Sequence, residues 1–250
     1  MLIGRHKTIL NLLEDVSTLN VEDLALKLKV SEVTIRRDLS FLEKQGLIVR
    51  ERGKATLQIP GFEPLYNQRQ RKHIEEKRKI AKYVVEQIKE GEVIALDVGT
   101  TTAEIAKELL KRSNITIFTS SLQVANILSR SSSLEVYMIG GLIRKNEMSL
   151  IGSMALETVK KFNFDKYYFG AAGMEFESGP TDYSIEEAEV KRAFISRSRK
   201  VIAVVDHSKF MEKALVRLCE FNQIDEIVTN ARESHPLHPG LQNITNVTFV

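Results

Sequence analysis

The sequence predicts an α/β protein in two parts, and three observations support this prediction. The chain has 250 residues, which is long for one ordinary domain and comfortable for two. Short helical patterns run to about residue 50, and a stretch rich in glycine and proline follows over 53–64. Beyond Gly91, short apolar segments alternate with helical ones, which favours a mostly parallel sheet covered on both faces. We expect an N-terminal domain over 1–59, a linker over 60–72 and a larger domain over 73–250.

The composition excludes several classes of protein. Apolar residues make up 43% of the chain and charged residues 28%, so disorder does not describe it as a whole. No apolar run reaches the roughly 18 residues of a membrane-spanning helix, and the N-terminus has no secretory apolar region. The single cysteine, Cys219, excludes an internal disulfide and a cysteine-cluster metal site. We expect a cytoplasmic protein in which Cys219 is a small core residue.

Positive charge is concentrated at the front of the chain. Residues 1–60 hold ten Lys/Arg against eight Asp/Glu, and residues 61–80 hold six against three. Residues 81–250 hold twenty against twenty-two, so the body is close to neutral. The asymmetry suggests an N-terminal part that meets a polyanion, although charge runs are commonly just solvated surface.

Three short helices are predicted in the N-terminal domain. The first carries an apolar face of Ile9, Leu10, Leu12 and Leu13. Asn20 is a plausible N-cap for a second helix over 21–28, and Ser31 caps a third over 32–45. The third helix turns Ile35, Leu39 and Leu42 inward, which leaves other side chains outward near its start.

The outward side chains of the third helix suit DNA. A helix start with hydroxyls and two arginines can meet phosphate through its N–H groups and guanine through a guanidinium. Two apolar strands, 47–49 and 55–59, then flank a hairpin wing over 51–54 with a basic tip. The alternative is a helical protein-interaction module with ordinary surface arginines, and the basic wing argues against it. The predicted DNA-binding residues are Ser31, Glu32, Thr34, Arg36, Arg37, Arg52 and Lys54.

The run from Leu24 to Gly46 resembles the N-terminal signature of the DeoR family of bacterial transcription regulators. It reads Leu24-Ala25-x-x-Leu28-x-Val30-Ser31-x-x-Thr34-Ile35-Arg36-Arg37-Asp38-Leu39-x-x-Leu42-Glu43-x-x-Gly46. The wing of that family usually reads Arg-x-His-Gly-Gly-Ala, whereas this chain has Arg50-Glu51-Arg52-Gly53-Lys54-Ala55. The resemblance implies a winged helix-turn-helix that binds operator DNA.

The larger domain begins with a predicted helix over 67–90 and continues as alternating strands and helices. Strands are predicted over 93–97, 115–119, 136–139, 167–170, 201–206 and 226–229. Helices are predicted over 102–110, 122–129, 154–162 and 185–196.

Polar or glycine-rich turns follow four of these strands. The carboxyl ends of parallel strands share one edge of a sheet, so the four turns should line one crevice. The turn after the first strand, 97–102, offers N–H groups at a helix start and three threonine hydroxyls to a phosphate, with Asp97 for a sugar hydroxyl. Residues 187–192 and 206–210 add charge. The predicted effector-binding residues are Asp97, Gly99, Thr100, Thr101, Thr102, Thr119, Ser120, Ser121, Gly140, Gly141, Arg144, Gly170, Gly173, Glu187, Glu189, Lys191, Asp206 and Lys209.

These blocks resemble the C-terminal effector domain of the same family, which is similar to the ribose-5-phosphate isomerase and CoA-transferase-like fold. The resemblance implies a Rossmann-like α/β domain that senses a sugar phosphate. Departures from the family pattern are Ser120, His207 and Asn230, where the family commonly has Asn, Ser and Asp. The five histidines show no metal-ligand spacing, so no metal is expected. No cofactor is expected either.

Three functions are compatible with these observations. The leading hypothesis is a transcription factor, a repressor of a carbohydrate operon that responds to a phosphorylated sugar or polyol and works as a homodimer or homotetramer. The alternative is a sugar-phosphate isomerase with Lys209 and a carboxylate as acid–base groups, but such an enzyme needs no winged helix-turn-helix. An architectural or RNA-binding protein is disfavoured because aromatic stacking platforms are missing.

Overall fold

The chain folds into two compact units, Met1–Pro64 and Leu65–Val250. A computed structural model describes residues 4–16, 18–44, 47–51, 53–57, 63–64, 66–145, 147–232 and 238–250. Across these ranges, no helix is both long enough and apolar enough to cross a membrane.

The first unit contains three helices and a small antiparallel sheet among its described residues. The helices are α1 Gly4–Val16, α2 Val21–Leu28 and α3 Glu32–Lys44. The strands are β1 Thr18–Asn20, β2 Ile48–Glu51 and β3 Lys54–Leu57, in the order β1-β3-β2. The predicted hairpin wing is therefore present, and β1 is an additional strand that pairs with it.

Local side-chain chemistry sets both ends of α2 and the start of α3. The Asn20 side chain accepts a hydrogen bond from the Asp23 N–H at 2.7 Å, as an N-cap should. Lys29 then adopts a left-handed conformation with φ of 54° and ends α2. The Ser31 Oγ accepts from the Thr34 N–H at 3.3 Å and opens α3. Both predicted caps are confirmed.

The core of the first unit holds α3 in place. Ile35, Leu39 and Leu42 are completely buried, as their spacing predicted. On the same helix, buried Asp38 accepts hydrogen bonds from Arg5 at 2.5 and 3.0 Å. Burial opposes ionisation of this carboxyl, but the hydrogen bond from Arg5 keeps the pKa of Asp38 below its usual value. Asp38 thus ties α3 to α1.

The second unit is a mixed α/β domain. Its described helices are α4 Tyr66–Arg71, α5 Ile74–Glu86, α6 Thr100–Leu109, α7 Leu122–Leu128, α8 Ser153–Val159, α9 Ile185–Ser196 and α10 His238–Leu241. Its described strands are β4 Val93–Leu96, β5 Thr116–Thr119, β6 Glu135–Met138, β7 Leu142–Arg144, β8 Ser149–Ile151, β9 Phe164–Phe169, β10 Gly173–Glu175, β11 Gly179–Asp182, β12 Ser198–Val204, β13 Val216–Arg217, β14 Glu226–Thr229 and β15 Asn246–Phe249.

Seven of the described strands form one sheet in the order β15-β14-β12-β9-β4-β5-β6. Every neighbouring pair in it is parallel, so the predicted parallel sheet is confirmed. The six predicted strands all belong to it, and β15 is a seventh. Separate cores cover its two faces, one with α5, α6 and α7 and one with α8 and α9. Cys219 is buried in the second of these cores.

The single helix predicted over 67–90 is wrong. The structure has two helices, α4 and α5, separated at His73, which adopts a left-handed φ of 53°. The buried Lys77 ammonium donates at 2.5 Å to the carbonyls of Arg69 and Lys72, which closes the end of α4. The apolar stripe predicted on this segment is nevertheless correct, because Ile80, Ala81 and Val84 are buried.

Candidate functional site

The start of α3 presents a cationic face. Arg36 and Arg37 are exposed, and Arg36 forms an ion pair of 3.1 Å with Glu32 one turn earlier. Val33 is 62% exposed on the same stretch, although sequence reasoning did not include it. An exposed valine between polar residues near a helix start was the signal that could have identified it. The face therefore combines guanidinium donors with one apolar contact.

The remaining predicted DNA-binding residues lie at the cap of α3 and on the wing. Ser31 and Thr34 share a hydroxyl–hydroxyl hydrogen bond of 2.9 Å. Lys54 is exposed at the start of β3, while Arg52 lies outside the described residues. The wing is tied to α3 because Arg50 donates to the Ser40 hydroxyl at 2.7 Å.

The predicted crevice corresponds to the carboxyl edge of the large sheet, defined here by the turns after β4, β5, β6 and β9. Because these strands are parallel neighbours, their C-terminal turns lie along one edge. Asp97 N–H donates to the Tyr168 carbonyl at 3.0 Å, and Gly170 N–H donates to the Asp97 carboxylate at 3.1 Å. The turns after β4 and β9 are therefore in direct contact.

The turn after β4 opens α6 with buried hydroxyls. Gly99 has φ of +150°, a backbone conformation that favours glycine. Thr100, Thr101 and Thr102 form the first turn of α6 and are all at least nine-tenths buried. The Thr102 hydroxyl is already used within the turn, since it donates to the Gly99 carbonyl at 3.0 Å. Thr100 and Thr101 occupy the first two positions of α6, where the backbone N–H groups have no partner within the helix.

The turn after β5 caps the next helix. The Ser121 hydroxyl accepts from the Val124 N–H at 3.2 Å, and the Thr119 hydroxyl accepts from the Ser121 N–H at 3.0 Å. Ser120 is buried, and its carbonyl accepts from the Leu150 N–H at 2.8 Å. These three residues shape the edge, and two of their hydroxyls are used within the turn.

Lys191 lies at the centre of a buried charge network. Its ammonium is 2.7 Å from Asp97 and 2.6 Å from Asp182, and it donates to the Gly170 carbonyl at 3.0 Å. Burial lowers the pKa of Lys191, but Asp182 and Asp97 outweigh burial and raise it above its usual value, so the ammonium stays charged. Sequence reasoning placed Asp97 and Lys191 in the site and missed Asp182. Asp97 is only 1% exposed and is engaged by Lys191.

Glu187, one turn before Lys191, forms a second buried contact group. Its carboxylate is 3.2 Å from Arg144 and accepts a hydrogen bond from the Ser149 hydroxyl. Burial raises the pKa of Glu187, and Lys191 opposes this shift. Glu189 is exposed. It lies two residues after Glu187, and residues two apart in a helix point to opposite faces. The structure therefore brings Glu187 to the edge and leaves Glu189 outside it.

A group of cations gathers around Asp206 and Lys209. The Asp206 carboxylate accepts from the Ser208 N–H at 3.0 Å and shapes the short turn that holds Lys209. Burial lowers the pKa of Lys209, and the charge of Arg69 adds to that shift. Burial also lowers the pKa of Lys77 to about 8, and Lys209 adds to that shift. Asp206 opposes both shifts and compensates part of the positive charge. The two lysines and Arg69 still outnumber Asp206, so the group suits an anion.

Lys77 and Arg69 were missed by sequence reasoning. Lys77 lies three residues after Ile74 and three before Ile80, directly on the apolar stripe of α5. A lysine at a core-facing position was the available signal. Arg69 forms an ion pair with Glu147, a contact between distant parts of the sequence that no local pattern predicts.

Two of the predicted glycines are required by close backbone approach. A Cβ on Gly141, where φ is +151°, would lie 2.6 Å from the Ile151 carbonyl oxygen. A Cβ on Gly173 would lie 2.3 Å from the Glu212 carbonyl oxygen. Gly140 and Gly170 have no contact that tight. Gly141 and Gly173 thus serve packing around the edge.

One group of side chains in the second unit has the composition of a metal site. His73, Glu76 and His207 offer ligand atoms within 4.8 Å of one another, although sequence spacing predicts no metal. The side-chain oxygen of Asn230 accepts from the backbone N–H of His207 at 2.9 Å, which fixes the orientation of the Asn230 amide. The amide nitrogen of Asn230 then donates to Nδ1 of the His207 ring at 3.0 Å. The ring proton is then on Nε2, which leaves no lone pair there for an ion. We assign no metal to this group.

Comparison with protein families decides the identity of both units. Residues 5–59 match the model of the DeoR-like helix-turn-helix domain. Residues 72–231 match the model of the DeoR C terminal sensor domain. The chain belongs to the DeoR family of transcription regulators. The family resemblance noted in the sequence is confirmed over both parts of the chain.

DeoR-family repressors from several organisms are similar to nearly the full chain. The glycerol-3-phosphate regulon repressor of Escherichia coli K12 is 35% identical over 227 residues, covering 91% of this chain and 90% of the repressor. The transcriptional repressor GlcR of Bacillus subtilis is 34% identical over 227 residues, covering 90% and 87%. This DeoR-family chain is therefore a DNA-binding transcriptional regulator with a sensor domain and not an enzyme.

Solved structures resemble part of this DeoR-family chain more distantly. Ribose 5-phosphate isomerase A from Methanocaldococcus jannaschii is 18% identical with a TM-score of 0.41, covering 54% of this chain and 53% of that one. The eIF2B delta subunit of Chaetomium thermophilum is 15% identical with a TM-score of 0.43, covering 58% and 51%. At these values the likeness carries no argument about activity.

Proposed function

We propose that this regulator represses a carbohydrate-metabolism operon and that a phosphorylated sugar or polyol at the carboxyl edge changes its affinity for operator DNA. The observation that carries the proposal is a group of cations, buried Lys77 with half-buried Lys209 and Arg69, in a domain that also presents threonines at the start of α6. Some relatives are named for phosphorylated polyols, as in the glycerol-3-phosphate regulon repressor. The test is an operator titration repeated with and without individual sugar phosphates.

The first unit would read DNA through α3. Arg36 and Arg37 would pair with guanine edges in the major groove, and Val33 would contact a thymine methyl group. Ser31, Glu32 and Thr34 would position the helix start against phosphate. Lys54, with Arg52, would contact the phosphate backbone from the wing.

Two substitutions should separate base reading from phosphate binding. Arg37→Ala should cost about 1–3 kcal/mol of discrimination between operator and scrambled DNA, because a bidentate base contact is lost. Lys54→Ala should weaken binding to both DNAs alike and reduce the salt dependence by about one unit of slope. Fluorescence anisotropy titrations over a range of salt concentrations measure both effects.

Lys44→Ala is a matched control, because Lys44 is exposed at the other end of α3. It should leave discrimination close to that of the unsubstituted chain. If Arg37→Ala and Lys54→Ala both titrate like the unsubstituted chain, α3 and the wing are not the DNA-reading surface.

In the second unit, the effector phosphate would lie against the first turn of α6. The helix N–H groups and the hydroxyls of Thr100 and Thr101 would donate to phosphate oxygens, and Lys209 would neutralise charge. Arg144 and Glu187, already paired at the same edge, would contact the sugar hydroxyls. Asp97 would act through Lys191, because its carboxylate is already engaged there.

The working species would be a homodimer or homotetramer. One winged unit contacts too few base pairs for selection among genomic sites, and two half-sites require two copies. In such an oligomer, the DNA-binding units of the copies can have two arrangements, one of which binds operator more tightly. The effector can change DNA affinity only as far as its own affinities for these two arrangements differ.

A further inference from the structure

The large sheet has two edge strands, β15 and β6, and β6 is the more exposed of the two. Among the described strands, β6 pairs only with β5, so its outer backbone groups face away from the sheet. Residues 136–143 contain no charged side chain. Natural proteins normally protect an exposed edge strand with lysine, proline or a covering element, because a bare edge pairs with other chains. Glu135 at the start of β6 is exposed, but the uncharged stretch that follows it favours a surface that another chain covers.

Apolar side chains extend this edge into a patch. The Tyr137 ring stacks on Phe118 at 4.7 Å, and Phe118 lies 4.6 Å from Phe162 just beyond the end of α8. At the other end of α8, the Met154 side chain lies beside Gly140, which follows β6. Tyr137, Met154 and Phe162 therefore border one surface, and exposed apolar side chains at Met138, Leu142 and Ile143 adjoin it in the chain. The whole group is called the edge patch below. Its members are Tyr137, Met138, Leu142, Ile143, Met154 and Phe162.

The size of the edge patch fits a subunit interface. Its side chains are between 37% and 71% exposed, which corresponds to roughly 600 Å² if a large side chain offers about 200 Å². The largest apolar patch on a typical monomer is about 300–600 Å². A standard interface removes roughly 800 Å² from each partner, so these six side chains supply most of what a dimer needs.

We propose that two copies of this chain associate through the edge patch, with their β6 strands antiparallel across a two-fold axis. A second copy is the occupant that the geometry favours, because the hydrogen-bonding edge of a strand is complementary to itself in the antiparallel direction. Residues 136–143 are uncharged, so two copies that meet through them bring no like charges together. The inference rests on the proposed dimer and assigns the surface that forms it.

Sedimentation equilibrium of the full chain, without DNA or sugar phosphate, tests the surface. The unsubstituted chain should sediment at twice its 28.4 kDa at micromolar concentration. Met138→Lys and Leu142→Lys should each raise the dissociation constant at least about 100-fold, since each places two like charges in the interface. Leu215→Lys is the matched control, because Leu215 is 74% exposed outside the patch. It should leave the dissociation constant unchanged.

The outcomes separate the surface from the dimer. A monomer at every concentration would overturn both the dimer and the edge patch. A dimer that persists in Met138→Lys and Leu142→Lys, or that Leu215→Lys weakens equally, would overturn the edge patch and leave the dimer standing. Neither result depends on the DNA-binding or effector residues.

Cysteine cross-linking tests the strand pairing in chains that carry no added charge. Single cysteines at Val136, Tyr137 and Met138 are introduced in a Cys219→Ala background. The one nearest the two-fold axis should form disulfide-linked dimers on mild oxidation, since only that position lies opposite its own copy within disulfide reach. Leu215→Cys should form at most one-tenth as much. If none of the three exceeds Leu215→Cys, the antiparallel pairing of β6 is wrong.

Discussion

Replacing Lys191 with alanine is expected to lower the free energy of unfolding of the second unit by about 3–5 kcal/mol. The ammonium lies 2.7 Å from Asp97 and 2.6 Å from Asp182, and all three groups are buried. Without it, two carboxylates face each other with no compensating charge, and the side chain leaves a cavity. Chemical denaturation followed by circular dichroism measures the loss.

The charge origin of this effect can be tested separately from the cavity. Lys191→Met combined with Asp97→Asn and Asp182→Asn should recover much of the loss, because no buried charge then lacks a partner. Glu189→Gln is the control on the same helix and should change stability by less than about 0.5 kcal/mol, since Glu189 is exposed. If Lys191→Met alone is as stable as the triple variant, the charge network is not what stabilises this region.

The penalty of Lys191→Ala should also depend on pH. Burial raises the pKa of Asp97, and loss of the neighbouring ammonium would raise it further. A carboxyl with a higher pKa in the folded state than in the unfolded state stabilises the fold at low pH, and this contribution is lost as pH rises through the folded pKa. The variant should therefore be less impaired at about pH 5 than at about pH 8.

The second large effect concerns the effector. Thr101→Val should weaken sugar-phosphate binding roughly 10–100-fold, because a hydrogen bond to a charged phosphate contributes about 1.5–3 kcal/mol. Lys209→Ala should weaken it at least as much by removing a half-buried cation. Calorimetric titration with the sugar phosphate that shifts the operator titration measures both. DNA affinity without the effector should stay near that of the unsubstituted chain.

Two controls lie at the opposite edge of the sheet. Thr116→Val and Lys200→Ala make the same chemical changes at the amino ends of β5 and β12. Both should bind the effector normally. Full response in Thr101→Val and Lys209→Ala, or no sugar phosphate bound below about millimolar concentration, would reject the carboxyl edge as the effector site and leave the DNA-reading proposal intact.

The sequence predicted the helices of the first unit well because their boundaries depend on local chemistry. Asn20 and Ser31 are caps that act within three residues, and Ile35 with Leu39 follows helical spacing. The strand β1 was missed because three residues carry no periodicity of their own. It exists because β3 offers it a partner.

The carboxyl edge was predicted in outline and not in its contacts. Parallel strands fix where their turns meet, so Asp97 and Gly170 were expected together. The bond between Lys191 and Asp182 joins α9 to the end of β11, which belongs to a separate small sheet. No spacing in the sequence encodes that approach. Glu187 and Glu189 were not distinguished, although helical periodicity alone places them on different faces.

The helix break at His73 escaped prediction because the residues around it are good helix formers. The apolar stripe continues through Ile74 and Ile80, and no glycine or proline marks the interruption. The conformation is stabilised by Lys77, whose side chain bonds two carbonyls at the end of α4. These bonds join a side chain to backbone five and eight residues earlier, which no helical periodicity encodes and which outweighs local propensity.

If the proposed effector binds beside Lys77, anion binding and the anchoring of α4 by Lys77 would be competing equilibria. Its ammonium has three protons, and two of them are directed at the carbonyls of Arg69 and Lys72. Arg69 is likewise engaged, in its pair with Glu147. An anion that draws these cations toward itself must take donors away from the end of α4, a helix of only six residues. Under the proposed function, effector binding at these cations would therefore loosen the end of α4.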